Sequence, residues 1–237
     1  MFRLFASALS LLCMAAAVNA SAQTEPTQVN VLFGKIYVPG GFDSNDNVQL
    51  VAEGIFPNSC YKPAATKVSI DKQKKTIHLE PQAYKYGGMC LQVLLPYSRE
   101  VDLGILETGT WTITQGPNQL HLGEIRIHAA ISKDADDFIY APISQAFFSQ
   151  VDQTGEVTLM VELPCDCLSV SDIRVKIEPD VIVVQPILKL EEAPTGATGI
   201  LPVKKTFSIG SVTPGRYLLH VRSMNGNAVN SLVEMGK

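Results

Sequence analysis

The chain contains one sequence pattern twice, and this repeat constrains its fold more than any other feature. In each copy a proline begins a run of nine residues that ends in glycine and in which apolar and polar residues largely alternate. A second glycine follows, two residues before an aromatic residue. The matching positions are Pro96, Gly104, Gly109 and Trp111 in the first copy, and Pro202, Gly210, Gly215 and Tyr217 in the second. The copies lie about one small-domain length apart, so the sequence predicts two units of the same architecture.

The N-terminal segment, residues 1–22, has the features of a cleaved export signal. Arg3 provides a positive start, an apolar run extends from Leu4 to Val18, and small residues form a cleavage pattern before Gln23. The run is too short for a membrane span, and no later stretch offers the ~20 apolar residues that a spanning helix needs. We therefore expect a periplasmic or secreted protein without a membrane span.

The remaining length is enough for two domains of ~100 residues, each with its own core. A polar, acidic connector from Ile131 to Asp137 divides them, which places domain one at residues 23–130 and domain two at residues 131–237. The formal net charge of −4 comes without a basic stripe. Nucleic acid and anionic membranes are therefore not expected as partners.

Strand signals dominate both predicted domains. β-Branched or alternating runs, such as those from Val48 to Val51 and from Thr76 to Leu79, are bounded by clusters of Asn, Asp, Gly and Pro. No window has a sustained helical period with start and stop signals. The sequence therefore predicts an all-β chain with about seven short strands per ~100 residues.

This strand density, together with the glycine turn before Trp111 and before Tyr217, resembles the immunoglobulin-like and fibronectin type III families. In those families an aromatic ring packs across the corner that precedes the sixth strand. The resemblance implies two tandem, antiparallel immunoglobulin-like β-sandwiches. It carries a fold and no particular activity.

The four cysteines after the export signal differ between the two copies. Cys60 and Cys167 are counterparts, whereas the place of Cys90 falls in the Thr195–Gly196 loop. In an oxidising compartment we therefore predict a Cys60–Cys90 disulfide within domain one. Cys165 and Cys167 have three interpretations: a tight disulfide, a thiolate pair that grips Cu(I), or a thiol-exchange pair. On an extended chain their Cα atoms would lie ~6.5–7 Å apart, at the upper limit for a disulfide.

The sequence contains no familiar catalytic motif, and its four histidines are scattered along strand-like runs. Acidic and amide side chains alternate from Asp43 to Asn47, but the glycine and the final glutamate of a calcium loop are missing. Three more aspartates, Asp134, Asp136 and Asp137, lie in the connector. We interpret both stretches as solvated turns and expect no metal site and no cofactor.

These observations favour an exported, non-enzymatic protein that serves in binding, adhesion or the structure of the cell envelope, with a partner that the sequence does not name. Its binding surface would lie on the loops at the ends of the sandwiches or in the groove between the two domains. Two alternatives remain open. One is copper handling or thiol redox chemistry at Cys165 and Cys167, and the other is inhibition of an enzyme by the sandwich loops.

Overall fold

The described part of the chain is all-β, with sheets that are mainly antiparallel, which confirms the predicted fold class. A computed structural model describes residues 25–133, 136–151, 154–192 and 195–236. The predicted export signal at residues 1–22 and Asp134 of the connector lie outside the described residues. The described part of the chain contains no helix long and apolar enough to cross a membrane.

The N-terminal half is a β-sandwich with a small third sheet beside it. Its strands are β1 (Thr27–Asn30), β2 (Lys35–Tyr37), β3 (Val48–Phe56), β4 (Tyr61–Pro63), β5 (Lys67–Asp71), β6 (Thr76–Glu80), β7 (Gln82–Lys85), β8 (Leu95–Gly104), β9 (Gly109–Gln115) and β10 (Leu120–Ile127). Strands β2, β3 and β8 form one layer of the sandwich, and strands β5, β6, β9 and β10 form the other. Strands β1, β7 and β4 form the third sheet.

The core of this half lies between its two main layers. Successive side chains of a strand point to opposite faces, so alternate residues of β3, Val48, Leu50 and Ala52, all reach the core. Trp111 of β9 and Ile77 of β6 meet them from the other layer, and both are fully buried. The alternation that predicted the strands therefore also selects the side chains that hold the layers together.

The C-terminal half repeats the two-layer plan. Its elements are β11 (Ile143–Val151), β12 (Thr154–Cys165), β13 (Leu168–Ile177), β14 (Val181–Leu190), β15 (Thr198–Ser211), β16 (Gly215–Ser223), a 3₁₀ turn (Met224–Gly226) and β17 (Asn227–Met235). One layer contains β11, β12 and β15, and the other contains β13, β14, β16 and β17. A separate core that includes Leu159 and Leu219 lies between these layers. The domain boundary at residues 130 and 131 stays a prediction.

The sheets are antiparallel except for one pair of strands in each half. Strand β6 runs parallel to β9, and its counterpart β14 runs parallel to β16. An antiparallel hairpin flanks the parallel pair on each side in both four-stranded layers. The two halves thus share a detail of strand pairing that the sequence did not predict.

The repeated prolines and the first repeated glycines occupy matching places on edge strands. Pro96 lies on β8 and Pro202 on β15, each at the edge of a three-stranded layer, where a missing N–H leaves no gap in the ladder. Gly104 (φ +69°) and Gly210 (φ +78°) each close a β-bulge, because the residue before each glycine has no partner across the strand pair. Both glycines adopt left-handed backbone that disfavours a side chain.

The repeated aromatic residues form the same corner in both halves. Gly109 and Gly215 begin β9 and β16, and the aromatic ring two residues later is buried. Trp111 Nε1 donates a hydrogen bond to the Glu107 carbonyl (2.8 Å), and the Tyr217 hydroxyl donates one to the Thr213 carbonyl (3.0 Å). In both cases the acceptor lies four residues upstream, so one ring seals the loop and satisfies its backbone.

We predict that Gly104→Ala lowers the free energy of unfolding by about 1–2 kcal/mol, because an L-residue is strained at φ +69°. A Cβ at this position would meet no atom within 4 Å, so the loss would come from the backbone alone. Gly34→Ala is the matched control, since its Cβ would lie 3.9 Å from the Glu53 carbonyl oxygen without a clash. Denaturant unfolding measures both variants; equal stability of Gly104→Ala and the wild type would contradict the prediction.

Candidate functional site

The two halves meet through the outer faces of two sheets. The outer face of β2 and β3 packs against the outer face of β14 and β16, so these two central strands of the C-terminal four-stranded layer are buried on both sides. The apolar part of this joint consists of Tyr37, Val51, Val181, Val183 and Leu218. All five are at most 4% exposed, which indicates a packed contact rather than a loose tether.

Strand β16 divides its side chains between the core and the joint. Tyr217, Leu219 and Val221 belong to the core of the C-terminal half. The intervening positions face the N-terminal half, where His220 meets the ring of Phe42 edge to face (5.9 Å between centroids). The polar residues of this strand are therefore buried by the other half and not by their own sandwich.

Arg222 is the charged residue at the centre of the joint. It is 7% exposed, and its Nη1 lies 3.3 Å from Asp46 Oδ2. Its Nη2 donates a hydrogen bond to the Gly41 carbonyl (2.7 Å), and its guanidinium lies 4.8 Å from the centre of the Phe42 ring. Nη1 also lies 3.4 Å from the Tyr140 hydroxyl. One guanidinium thus links the segment before β3 to the segment before β11.

The segment from Asp43 to Asn47 is a turn that carries two buried carboxylates, so for Asp43 and Asp46 its interpretation as a solvated turn was wrong. Asp43 and Asp46 are 7% and 6% exposed. The Asp43 N–H donates to Asp46 Oδ2 and the Asn45 N–H donates to Asp43 Oδ1, both at 3.0 Å. Burial raises the pKa of Asp46, and the guanidinium of Arg222 opposes that rise. Asp46 belongs to the joint because its carboxylate pairs with a cation from the other half.

The connector also contributes to the joint. Asp136 lies beside the joint, where burial raises the pKa of its carboxyl and Arg222 opposes the rise. Asp136 is partly exposed and Asp137 is exposed. The described residues hold no group of three or more His, Cys, Asp or Glu side chains placed to bind a metal ion.

His220 is a neutral, buried histidine within the joint. It is 2% exposed, and its Nδ1 lies 2.8 Å from the amide oxygen of Asn230 on β17. Burial lowers its pKa to about 4, and the positive charge of Arg222 acts in the same direction. The imidazole is therefore uncharged at neutral pH, and a proton on it would place a second cation beside Arg222.

A second polar group closes the rim of the joint. Arg216 forms ion pairs with Glu53 of the N-terminal half and with Glu234 of its own half (2.6 Å). The Tyr37 hydroxyl donates to Glu53 Oε2 (2.7 Å), and burial together with this carboxylate raises its pKa to about 12. Lys35 and Asp180 add an exposed ion pair at 3.2 Å, which contributes little because water screens it.

A disulfide-anchored loop lies at one end of the N-terminal half. The structure joins Cys60 to Cys90, in agreement with the predicted pairing, with their Cα atoms 5.4 Å apart. The Leu91 N–H donates to Ser59 Oγ (2.8 Å), and the Leu91 carbonyl accepts from the Ser59 N–H (3.1 Å). The Tyr86 N–H donates to the Cys60 carbonyl (2.9 Å). The loop at residues 86–94, hereafter the Cys90 loop, is thus attached at several points.

The C-terminal half attaches the equivalent loop by different chemistry. Cys165 and Cys167 are bonded to each other across the turn between β12 and β13, with their Cα atoms 5.1 Å apart. This is shorter than the spacing expected for an extended chain, because Asp166 lies in a turn. Asp166 Oδ2 accepts hydrogen bonds from the Thr195 backbone N–H (2.6 Å) and from the Thr195 hydroxyl. A carboxylate here holds the loop that Cys90 holds in the other half.

The two disulfides differ in what they can contribute to stability. The sequence separation is 30 residues for Cys60–Cys90 and 2 residues for Cys165–Cys167. Loop-closure entropy gives about 3–4 kcal/mol for the first and only about 1.5 kcal/mol for the second. Copper binding by Cys165 and Cys167 would first require reduction of their bond, since Cu(I) needs free thiolates.

The joint was not predicted from the sequence, although one signal for it was present. Polar and apolar residues largely alternate along strand β16. Three polar residues, Arg216, His220 and Arg222, share one face with Leu218, and the residues between them are apolar or aromatic. A buried histidine and a buried arginine on one strand face, His220 and Arg222, indicate that another surface covers that face. The other repeated residues, Pro96, Gly104, Gly109, Pro202, Gly210 and Gly215, shape the sandwiches and lie outside the set that forms the joint.

We predict that Arg222→Met lowers the free energy of unfolding by about 3–5 kcal/mol, because it leaves the Asp46 carboxylate buried without its cation. Arg174→Met is the matched control, since Arg174 and its partner Asp172 are both more than half exposed. That exposed pair is worth at most about 1 kcal/mol. Denaturant unfolding compares the two variants, and similar losses in both would show that Arg222 has no special role.

We predict that acid weakens the fold through His220. Its pKa is about 4 in the folded chain and 6.5 for the free side chain, so the unfolded chain binds more protons between these values. Stability from this group is complete above pH 6.5 and falls by about 3 kcal/mol in total as the pH approaches 4. Asp46 and Asp136, whose pKa values are raised, act in the opposite direction at lower pH.

The measurement that isolates His220 is the unfolding free energy from pH 7 to pH 4 in the wild type and in His220→Phe. The phenyl ring keeps the edge contact with Phe42 but cannot take up a proton. The wild type should lose more stability than His220→Phe across this range. Parallel pH profiles would mean that His220 does not titrate as its burial requires.

Comparison with known proteins bears on the N-terminal half. Residues 50–123 match the model of a family described as the ORF11 beta-sandwich domain, a segment that runs from β3 into β10. The match covers less than half of the chain. No curated protein and no solved structure matches the chain. What the comparison establishes is a β-sandwich, and by sequence the N-terminal half is similar to the ORF11 beta-sandwich domain.

Proposed function

We propose that this chain is an exported, non-enzymatic binding protein that holds a partner protein through the Cys90 loop. The proposal includes two tandem immunoglobulin-like sandwiches and a periplasmic or secreted location. The observation that carries it is an apolar loop held in place but turned toward solvent. Met89 is fully exposed, and Leu91 and Leu94 are 71% and 72% exposed. Clustered exposed apolar side chains of this kind mark interaction sites.

Attachment of the loop supports this proposal, because a fixed loop loses little entropy when it binds. The disulfide and the hydrogen bonds between Ser59 and Leu91 hold its backbone. Beneath it, the rings of Phe56 and Tyr97 stack at 4.0 Å, and Tyr61 lies 5.8 Å from Phe56. The apolar side chains therefore extend from a rigid base rather than from a mobile segment.

The charges beside the loop support a particular kind of partner. Lys62 lies 5.2 Å from the centre of the Tyr86 ring, and Lys85 lies 5.8 Å from that of Tyr61. Tyr86 belongs to the Cys90 loop, and Tyr61 follows Cys60, which anchors that loop. The complementary surface is an apolar patch with acidic residues at its edge, on another protein. Should that protein be an enzyme, the chain would act as its inhibitor.

The position of the perturbed titratable groups supports a non-enzymatic role. Asp46, His220 and Arg222 are each at least nine-tenths buried, and each pairs within the joint. The shifted pKa values of Asp46 and His220 have a structural cause in the packing of the two halves. The joint keeps the two halves in one orientation, which would present the Cys90 loop in a constant position.

We predict that the triple variant Met89→Ser, Leu91→Ser, Leu94→Ser captures its envelope partner at least about tenfold less than the wild type in a cross-linking pull-down, since apolar anchors dominate such interfaces. The matched control is Leu120→Ser, Ile139→Ser, Ile200→Ser, which removes three exposed apolar side chains elsewhere (55%, 56% and 72% exposed). Both triple variants should keep the unfolding midpoint of the wild type.

Three results would count against the proposal. Equal capture by the two triple variants would exclude the Cys90 loop as the binding surface. Binding to lipid vesicles that the loop variant alone loses would replace the protein partner with a membrane. A hydrolytic activity whose active-site label maps to one residue would replace the binding role with an enzymatic one.

A further inference from the structure

A small cavity lies inside the joint, between the two halves. Its volume is about 20 Å³. The walls include Asp46 and Gln49 from the N-terminal half, Asp136 from the connector, and His220 and Arg222 from β16. A cavity of this size accommodates about one water molecule and nothing larger.

Three buried polar atoms of the residues that line this cavity have no hydrogen-bond partner within the described part of the chain. They are Gln49 Oε1, His220 Nε2 and Arg222 Nε. His220 and Arg222 are 2% and 7% exposed, so bulk water does not satisfy them. A buried polar atom without a partner destabilises the fold, because it has lost its hydrogen bonds to water. Three such atoms on residues that line one cavity point to a shared ligand.

The hydrogen-bonding character of the three atoms is determined by chemistry. His220 Nδ1 lies 2.8 Å from the amide oxygen of Asn230, and that oxygen can only accept. The proton of the neutral imidazole is therefore on Nδ1, which leaves Nε2 as an acceptor. Gln49 Oε1 also accepts, and Arg222 Nε–H donates. The ligand must offer two donors and one acceptor.

Charge in the cavity wall excludes an ion. Asp46 and Asp136 would repel an anion, and Arg222 would repel a cation. An anion also has no hydrogen to donate to Gln49 Oε1 or to His220 Nε2. The remaining ligand is neutral, has two donor hydrogens and fits the volume of one water molecule.

We propose that the joint binds a single water molecule in this cavity, which donates to Gln49 Oε1 and His220 Nε2 and accepts from Arg222 Nε–H. Gln49 belongs to the N-terminal half, whereas His220 and Arg222 belong to the C-terminal half. The water therefore bridges the two halves and is a component of the joint. This site is separate from the Cys90 loop, and it stands whether or not that loop binds a partner.

Diffraction from crystals of the purified protein, grown with and without sodium bromide, tests the proposal. The expected result is one density peak within about 2.7–3.2 Å of Gln49 Oε1, His220 Nε2 and Arg222 Nε, without anomalous signal from bromide. A bromide signal at this place would make the ligand an anion and overturn the proposal. An empty cavity would overturn it as well.

Water relaxation dispersion in solution provides an independent measurement. Gln49→Met keeps the length of the side chain but removes the acceptor oxygen, so this variant should lose one long-lived water relative to the wild type. The matched control is Gln145→Met, at an exposed position on β11, which should lose none. An unchanged number of long-lived waters in Gln49→Met would contradict the bridging role.

Discussion

The arrangement of the two halves depends on one buried ion pair, between Arg222 and Asp46. Removal of both charges from water is costly. Their attraction balances that cost only when further hydrogen bonds satisfy the remaining donors of the guanidinium and the remaining acceptors of the carboxylate. Here the guanidinium donates to the Gly41 carbonyl and lies over the Phe42 ring, and the carboxylate accepts from the Asp43 N–H. These partners are available in one relative position of the halves, so the pair specifies orientation more than it adds stability.

The repeated residues explain how one architecture forms twice from segments with little other identity. Each repeated residue suits one feature of the backbone. The prolines lie on edge strands, the glycines adopt a left-handed φ in a bulge, and the aromatic side chains donate a hydrogen bond to a loop carbonyl. These backbone features depend on the path of the chain and not on the side chains that fill the core. The same sandwich therefore tolerates Trp111 in one half and Tyr217 in the other, each bonded to a carbonyl four residues upstream.

The halves diverge where a loop must be held beside the turn that follows β3 or β12. A Cys60–Cys90 bond does this in the N-terminal half, whereas Asp166 and Thr195 do it in the C-terminal half. In the loop that the disulfide attaches, the side chains of Met89 and Leu94 are exposed. Divergence in the means of attachment thus coincides with the surface that is proposed to bind a partner.

The sequence by itself determined the local structure: strands, the Cys60–Cys90 pair, and the repeated turns all depend on neighbouring residues or on the comparison of two copies. The joint required the tertiary structure. Asp43 and Asp46 have the local pattern of a solvated turn, and His220 and Arg222 have that of an exposed strand face, because nothing nearby in sequence buries them. Their burial results from contact between residues far apart along the chain, where desolvation rather than local propensity decides the charge and partners of each group.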